Sequence, residues 1–280
     1  MKATYAYKPV RFFLIAYLLT WAAWLTAAYL SYLPGGGPKG SITTLEIIGV
    51  FAPFAASLWM IFTSNSKELK QNYRQRLFNL KLIKLSSLPA IFLIVPAAIV
   101  ISVLISHFCF GRSLEQLAIS SVATFTAGLL PIPVMLFGAA LFEELGWKGY
   151  GVDSLRGQRT FFTATLIYAV LWAFWHTPLF FINGYYHNLI LRANPLFALN
   201  FFVSVLPMAF IVNWLWYKNK GNILTAALVH AAANFQGLLP MGQMAKGLET
   251  VVMIIMAIII VSLDRKIFFK KFPAEIGHFI

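Results

Sequence analysis

This chain has little charge, less acid and a single cysteine. Charged residues make up 11% of its 280 positions, against about 25% in soluble domains. That excludes an ordinary soluble globule, a disordered chain and a charged coiled coil. Cys109 has no second cysteine to pair with, so there is no intramolecular disulfide framework and no signature of an oxidising compartment. Neither a G-x-S-x-G nor an H-E-x-x-H pattern is present, which removes two familiar hydrolase signatures. No repeat of 20–50 residues is evident. No loop is long enough to fold as a second domain, so the chain reads as one multi-pass membrane domain over residues 1–280.

What fills the chain instead is apolar residues, at 60%, with a mean hydropathy of +0.76. A transmembrane helix takes about 20 of them. The first apolar run, 12–33, is too long for the core of a signal peptide, and no small-x-small cleavage site follows it. Further spans are expected at 45–62, 88–108, 117–148, 161–182, 196–217, 223–239 and 248–263. Pro131 and Pro133 interrupt the fourth, where a helix should kink or restart. That helix is expected to run on to Arg156. The predicted fold is all-α: a polytopic membrane protein of about eight transmembrane helices.

The basic residues set its expected orientation. With the N-terminus inside, inner segments hold 18 Lys and Arg and outer loops hold 4, namely Lys39, Arg112, Arg192 and Lys246. Short basic loops stay in the cytoplasm, so both termini are expected there, in a cell-membrane protein. The net charge of +13 is thereby accounted for without nucleic acid; membrane lipids are the expected surroundings.

Ionisable groups inside a bilayer cost roughly 2.5–3.5 kcal/mol on insertion scales, which makes each a functional candidate. Glu46, Glu68, Glu115, Asp153, Glu249, Asp264 and Glu275 lie at span ends or in loops, as do His107, His187 and His278. All ten read as solvated or interfacial groups. Four places remain: Glu143-Glu144, His176, His230 and Asn234. Counted from the inner surface, Glu143 lies 13 residues from Arg156 and His176 lies 16 beyond Thr160, about 20 and 24 Å at 1.5 Å per residue. His230 and Asn234 lie 8 and 12 residues past Asn222, about 12 and 18 Å deep. Three helices thus carry polar groups at similar depth, which implies an intramembrane cavity.

Spacing refines the set. Glu144 and Lys148 are four residues apart and share a helix face, which leaves Glu143 the freer carboxylate. His230 and Asn234 also stand four apart, separated by three alanines that allow a close helix approach. The bland reading is interhelical glue, at about 0.6 kcal/mol per polar contact. Hydrolysis is the chemical one: a buried carboxylate takes a proton from water, and an imidazole and an amide donate to the oxyanion. Glu143, His176 and His230 also form a His₂Glu set of the kind that binds catalytic zinc. A proton or ion carrier would use similar groups, but no inverted repeat supports one.

Glu143-Glu144-x-x-x-Lys148, Trp172-x-x-x-His176 and His230-x-x-x-Asn234 resemble the three motifs of the CAAX protease and bacteriocin-processing family. Those motifs read E-E-x-x-x-R, F-x-x-x-H and H-x-x-x-N/D. The resemblance spans residues 115–240. Two positions depart: Lys148 stands for Arg, keeping charge but losing the bidentate fork, and Trp172 stands for Phe. The resemblance implies an intramembrane endopeptidase with a cytoplasm-facing cavity, acting on a peptide or lipidated peptide in CAAX-type or bacteriocin-leader processing. It implies that Glu143 and His176 activate water, that His230 and Asn234 hold the oxyanion, and that Glu144, Lys148 and Trp172 support them. It implies no cofactor, with zinc on Glu143, His176 and His230 as the alternative. A non-catalytic membrane scaffold or immunity protein is the remaining reading.

Overall fold

A computed structural model describes residues 5–119, 131–157 and 159–271, and no β-strand occurs among them. The helices are α1 (Pro9–Ser31), α2 (Lys39–Phe62), α3 (Lys67–Arg76), α4 (Leu88–Phe110), α5 (Ile132–Gly146), α6 (Val152–Arg156) and α7 (Phe161–Trp175). They continue with α8 (Tyr186–Ala193), α9 (Pro195–Lys218), α10 (Ile223–Phe235), α11 (Gln243–Leu263) and α12 (Arg265–Phe268). Six helical stretches are long and apolar enough to cross a membrane: 9–31, 39–62, 85–110, 161–181, 195–218 and 243–263. The protein is therefore an all-helical, multi-pass membrane protein. Two more apolar stretches lie among the six, α5 with its continuation and the shorter α10.

Local chemistry sets where these helices begin. Prolines occupy the first turn of α1, α4, α5 and α9, where the missing amide hydrogen costs nothing. Polar caps start others. The Thr160 side chain accepts from the Thr163 amide at 3.1 Å and that of Asn222 from the Thr225 amide at 2.7 Å, each satisfying an orphan donor. Pro53, Pro96 and Pro207 lie inside α2, α4 and α9, as membrane helices tolerate.

The fourth apolar stretch differs from expectation. Residues 114–117 form a 3₁₀ turn, not the start of a span, and 120–130 lie outside the described residues. The helix starts at Ile132, between Pro131 as its cap and Pro133 in its first turn. It then runs on through a π-turn at Trp147–Gly151 into α6, ending at Arg156. Glu143 consequently lies midway along a continuous helix.

The main hydrophobic core draws on residues from Phe12 to Phe268, and a small second cluster joins Phe180, Ile190 and Ala198. α5 packs on α2 and α10, α7 on α9, and α11 on α4 and α9. Gly146 makes the α5–α2 approach possible: a Cβ there would sit 2.3 Å from the Pro53 carbonyl carbon. Connectivity gives the bundle two distinct ends. One carries the start of α1, the segment 63–87, α6 and the end of α11. The other carries the turns at 32–38, 111–119, 176–194 and 236–242.

Candidate active site

Glu143, Trp172, His176, His230 and Asn234 line one cavity of about 540 Å³, within the usual range of small-molecule sites. Its wall also includes Trp24, Val50, Met208 and Met253. Glu143 is 6% exposed. One of its carboxylate oxygens, Oε2, accepts hydrogen bonds from the indole N–H groups of Trp172 at 3.0 Å and Trp147 at 3.4 Å. Trp147 is four residues on, so the second contact is the ordinary geometry of one helix face.

Glu144 points elsewhere and is fully buried. Its Oε2 meets the Lys148 ammonium at 3.1 Å and its Oε1 meets His230 Nδ1 at 3.0 Å. Lys148 is also fully buried, with Nζ 4.2 Å from the centre of the Tyr168 ring. The second carboxylate is thus the hub of an ion-pair network, and the first is held only by indole donors among the described residues.

The two histidines are anchored differently. His176 Nδ1 lies 2.8 Å from the Trp172 carbonyl oxygen, a contact that requires the proton on Nδ1 and leaves the Nε2 lone pair as an acceptor. His230 Nδ1 engages the Glu144 carboxylate, and its ring stands edge-on to Trp172 at 5.0 Å. Asn234 Nδ2 donates to the Leu136 carbonyl at 3.1 Å; an amide nitrogen carries two hydrogens, so a second remains.

Three acid and histidine positions correct the expectation of solvated groups. His187 is buried and lines the cavity, its ring parallel to that of His176 at 6.1 Å. Burial pushes its imidazole well below the ordinary range, and His176 and Lys246 act the same way. Glu249 is buried in the same wall and accepts a hydrogen bond from Gln236 Nε2. Asp153 is buried between Arg76 at 2.9 Å and Arg156 at 3.0 Å. These depend on chain segments that return from far away, which local pattern does not reveal. Two contacts had a local signal: the four-residue spacing of Trp147 from Glu143 and the three-residue spacing of Arg156 from Asp153. Glu275 and His278 lie outside the described residues.

The structure also sets how the cavity lies relative to the chain termini. Besides mid-membrane residues, its wall uses Tyr185, Tyr186, His187, Gln236, Pro240, Gln243 and Lys246, all from the end with turns 176–194 and 236–242. The opposite end is packed with Trp147, Tyr150, Tyr168 and Trp216, each fully buried. The cavity therefore points away from the end that carries the start of α1, the end of α11 and most basic residues. A cytoplasmic mouth and cytoplasmic termini exclude each other.

Among the described residues, no group of three His, Cys, Asp or Glu side chains is arranged to hold a metal ion. Glu144, not Glu143, is the carboxylate in contact with His230.

The fold and site define a polytopic helical membrane protein with a polar, glutamate-containing cavity inside the bundle. Residues 123–236 match the family model described as Type II CAAX prenyl endopeptidase Rce1-like. The chain is similar to "CAAX prenyl protease 2" of Methanococcus maripaludis, with 39% identity over 272 residues, covering 97% of this chain and 99% of that protein. The chain belongs to the CAAX prenyl endopeptidase family.

Proposed function

We propose that the protein is a glutamate-type intramembrane endopeptidase, and that its substrate is a membrane-associated peptide of the prenylated CAAX class suggested by its relative's name. The convergence of Glu143, His176, His230 and Asn234 on one cavity carries this reading. In the proposed step, Glu143 takes a proton from a water molecule whose other hydrogen bonds to His176 Nε2. The water oxygen attacks the scissile carbonyl carbon. The oxyanion accepts from the free Asn234 N–H and from His230 Nε2–H, for which His230 carries both ring protons with Glu144 as counter-ion. The protonated Glu143 then delivers its proton to the departing amine nitrogen. General-base catalysis of this kind contributes about 10²–10⁴-fold, and each lost oxyanion donor costs about 10²–10³-fold. Glu144, Lys148 and Trp172 position these groups. The step needs no cofactor.

We further propose one multi-pass unit in the cell membrane with eight crossings, the six long helices plus Ile132–Arg156 and α10. The 18-to-4 distribution of basic residues argues for cytoplasmic termini, and the cavity then opens on the outer side. A cytoplasmic mouth rests on resemblance alone. In a Cys109→Ser background, single cysteines at Lys70 and at Arg112, probed with a membrane-impermeant maleimide in whole cells, decide between them: labelling at Arg112→Cys but not Lys70→Cys is expected, and the reverse pattern turns the bundle over.

For the reaction itself, the purified protein in detergent is offered prenylated and unprenylated peptides. Wild-type cleavage, its loss in Glu143→Ala at unchanged melting temperature, and its persistence under chelation without stoichiometric zinc are the expected results. Equal cleavage by Glu143→Ala, or none by the wild type, defeats the proposal.

A further inference from the structure

Between α2 and α4 the chain crosses the end of the bundle in a segment, 63–87, that the hydrolytic step does not use. Its inward contacts fix it in place. α3 buries Leu69, Tyr73 and Arg76, and the Arg76 guanidinium meets Asp153 at 2.9 Å. Beyond α3, the Lys84 amide donates to Asn219 Oδ1 at 2.7 Å, and Asn222 Nδ2 donates to the Asn79 carbonyl oxygen at 2.9 Å. These bonds hold the stretch 79–84 against the turn that joins α9 to α10. The segment leaves one span at Phe62 and enters the next at Leu88, so it lies where the bundle meets the membrane surface.

Its outward face mixes two chemistries. Phe78, Leu80 and Leu85 are 54%, 66% and 81% exposed, and large apolar side chains clustered in this way mark an interaction site. Lys81 and Lys84 stand among them, both exposed, and no carboxylate forms an ion pair with either among the described residues. Lys67 and Arg74 add exposed positive charge from α3, and the Arg74 guanidinium lies 5.9 Å from the ring of Phe62 at the end of α2. Glu68 is the one acid in the sequence between Glu46 and Glu115. Water suits the cations but not the leucines, and hydrocarbon the reverse, whereas a negatively charged headgroup layer suits both. We propose that the α2–α4 connection is a binding surface for anionic lipid, in which Lys81 and Lys84 hold headgroup phosphates and Leu80 and Leu85 reach into the acyl boundary beside them. An ammonium on a phosphate makes a charge-assisted hydrogen bond, one of the strong kind. The bonds to Asn219 and Asn222 order the backbone beforehand, so that little ordering is left for the lipid to impose. The inference does not depend on the protease reading.

The test uses the full-length protein with Ser86→Cys in a Cys109→Ser background, labelled with bimane and reconstituted in phosphatidylcholine bilayers. Lipid carrying a doxyl quencher near the headgroup is added as phosphatidylglycerol or as phosphatidylcholine, and the quenching reports which lipid gathers at the segment. Phosphatidylglycerol is expected to quench at the lower mole fraction. Each cation at an anionic surface contributes about fivefold in affinity, so Lys81→Gln/Lys84→Gln should weaken phosphatidylglycerol roughly thirtyfold at unchanged melting temperature, and Lys81→Arg/Lys84→Arg should retain it. Leu80→Ser/Leu85→Ser should reduce quenching by both lipids. Independently of any variant, raising the salt from about 0.01 to 1 M should shrink the wild-type preference. Equal quenching by the two lipids, a preference undiminished in Lys81→Gln/Lys84→Gln, or one insensitive to salt overturns the surface. Relief of the quenching by glycerol phosphate overturns it too, since that assigns the lysines to a soluble anion. Quenching unchanged in Leu80→Ser/Leu85→Ser overturns the apolar anchor.

Discussion

Replacing Lys148 by methionine tests whether the ion-pair network beneath the cavity is structural. The Lys148 ammonium is 3.1 Å from Glu144 Oε2, and both side chains are fully buried. Removing one partner of a buried pair costs about 3–5 kcal/mol, because the other charge is left without compensation. Glu144 keeps His230 at 3.0 Å, so the lower end applies, about 3 kcal/mol. At about 2–4 °C per kcal/mol for a chain of this size class, Lys148→Met should melt roughly 6–12 °C below the wild type in detergent. The double variant Glu144→Gln/Lys148→Met removes both charges and should recover several degrees, a coupling that isolates the pair. Lys148→Arg keeps the charge over the Tyr168 ring and should fall between wild type and Lys148→Met. A loss under about 2 °C in Lys148→Met, or a double variant as unstable as the sum of the single ones, refutes the reasoning.

Trp172→Phe preserves the ring and deletes the 3.0 Å hydrogen bond to Glu143; with Trp147 still in place, kcat should fall roughly tenfold at unchanged KM, about 1.5 kcal/mol for one bond to a charged group, and an unaltered kcat removes Trp172 from the positioning set. Asp153→Asn leaves the fully buried Arg76 without its 2.9 Å partner and should cost about 3–5 kcal/mol, read as a fall in melting temperature larger than that of Glu68→Gln on the exposed face of α3. The His187 imidazole is held below its ordinary range by burial, then by His176 and Lys246. The unfolded chain therefore binds more protons near the ordinary pKa of about 6.5, and its contribution to stability is present above that pH and declines below it. Melting temperatures at pH 7.5 and 5.5 should converge in His187→Gln, and an unchanged pH difference would show that His187 does not titrate on unfolding.

The long helices were largely legible because six apolar stretches reach the length a bilayer demands. Expected spans at 88–108 and 196–217 became Leu88–Phe110 and Pro195–Lys218. The start of the fourth was not legible: Leu117 and its neighbours are as apolar as a span, and the backbone constraint of Pro131 and Pro133 decides the matter instead. The relation between cavity and termini was also hidden. Depth counted along each helix places Glu143 equally well from either surface, and only the packing of α10 and α11 around it shows which half of the bundle is hollow.

Within the site, spacing of four residues anticipated that Glu144 and Lys148 share a face. The same rule paired His230 with Asn234 toward a ligand, but could not show that His230 Nδ1 would be taken by Glu144, 86 residues away. That contact changes what the doubled glutamate means. A helix turns about 100° per residue, so adjacent carboxylates must face different neighbours, and here one faces the cavity while the other anchors the lysine and histidine behind it. In the proposed step the adjacent acids thus divide two tasks that conflict in one side chain: a base must stay free to take a proton, whereas a counter-ion must stay engaged. A wall of buried aromatic rings and ion pairs closes the bundle on one side of Glu143, and polar groups line the approach on the other. Among the described residues the approach to the carboxylate therefore lies on that polar side, where the wall includes Gln236, Gln243 and Lys246.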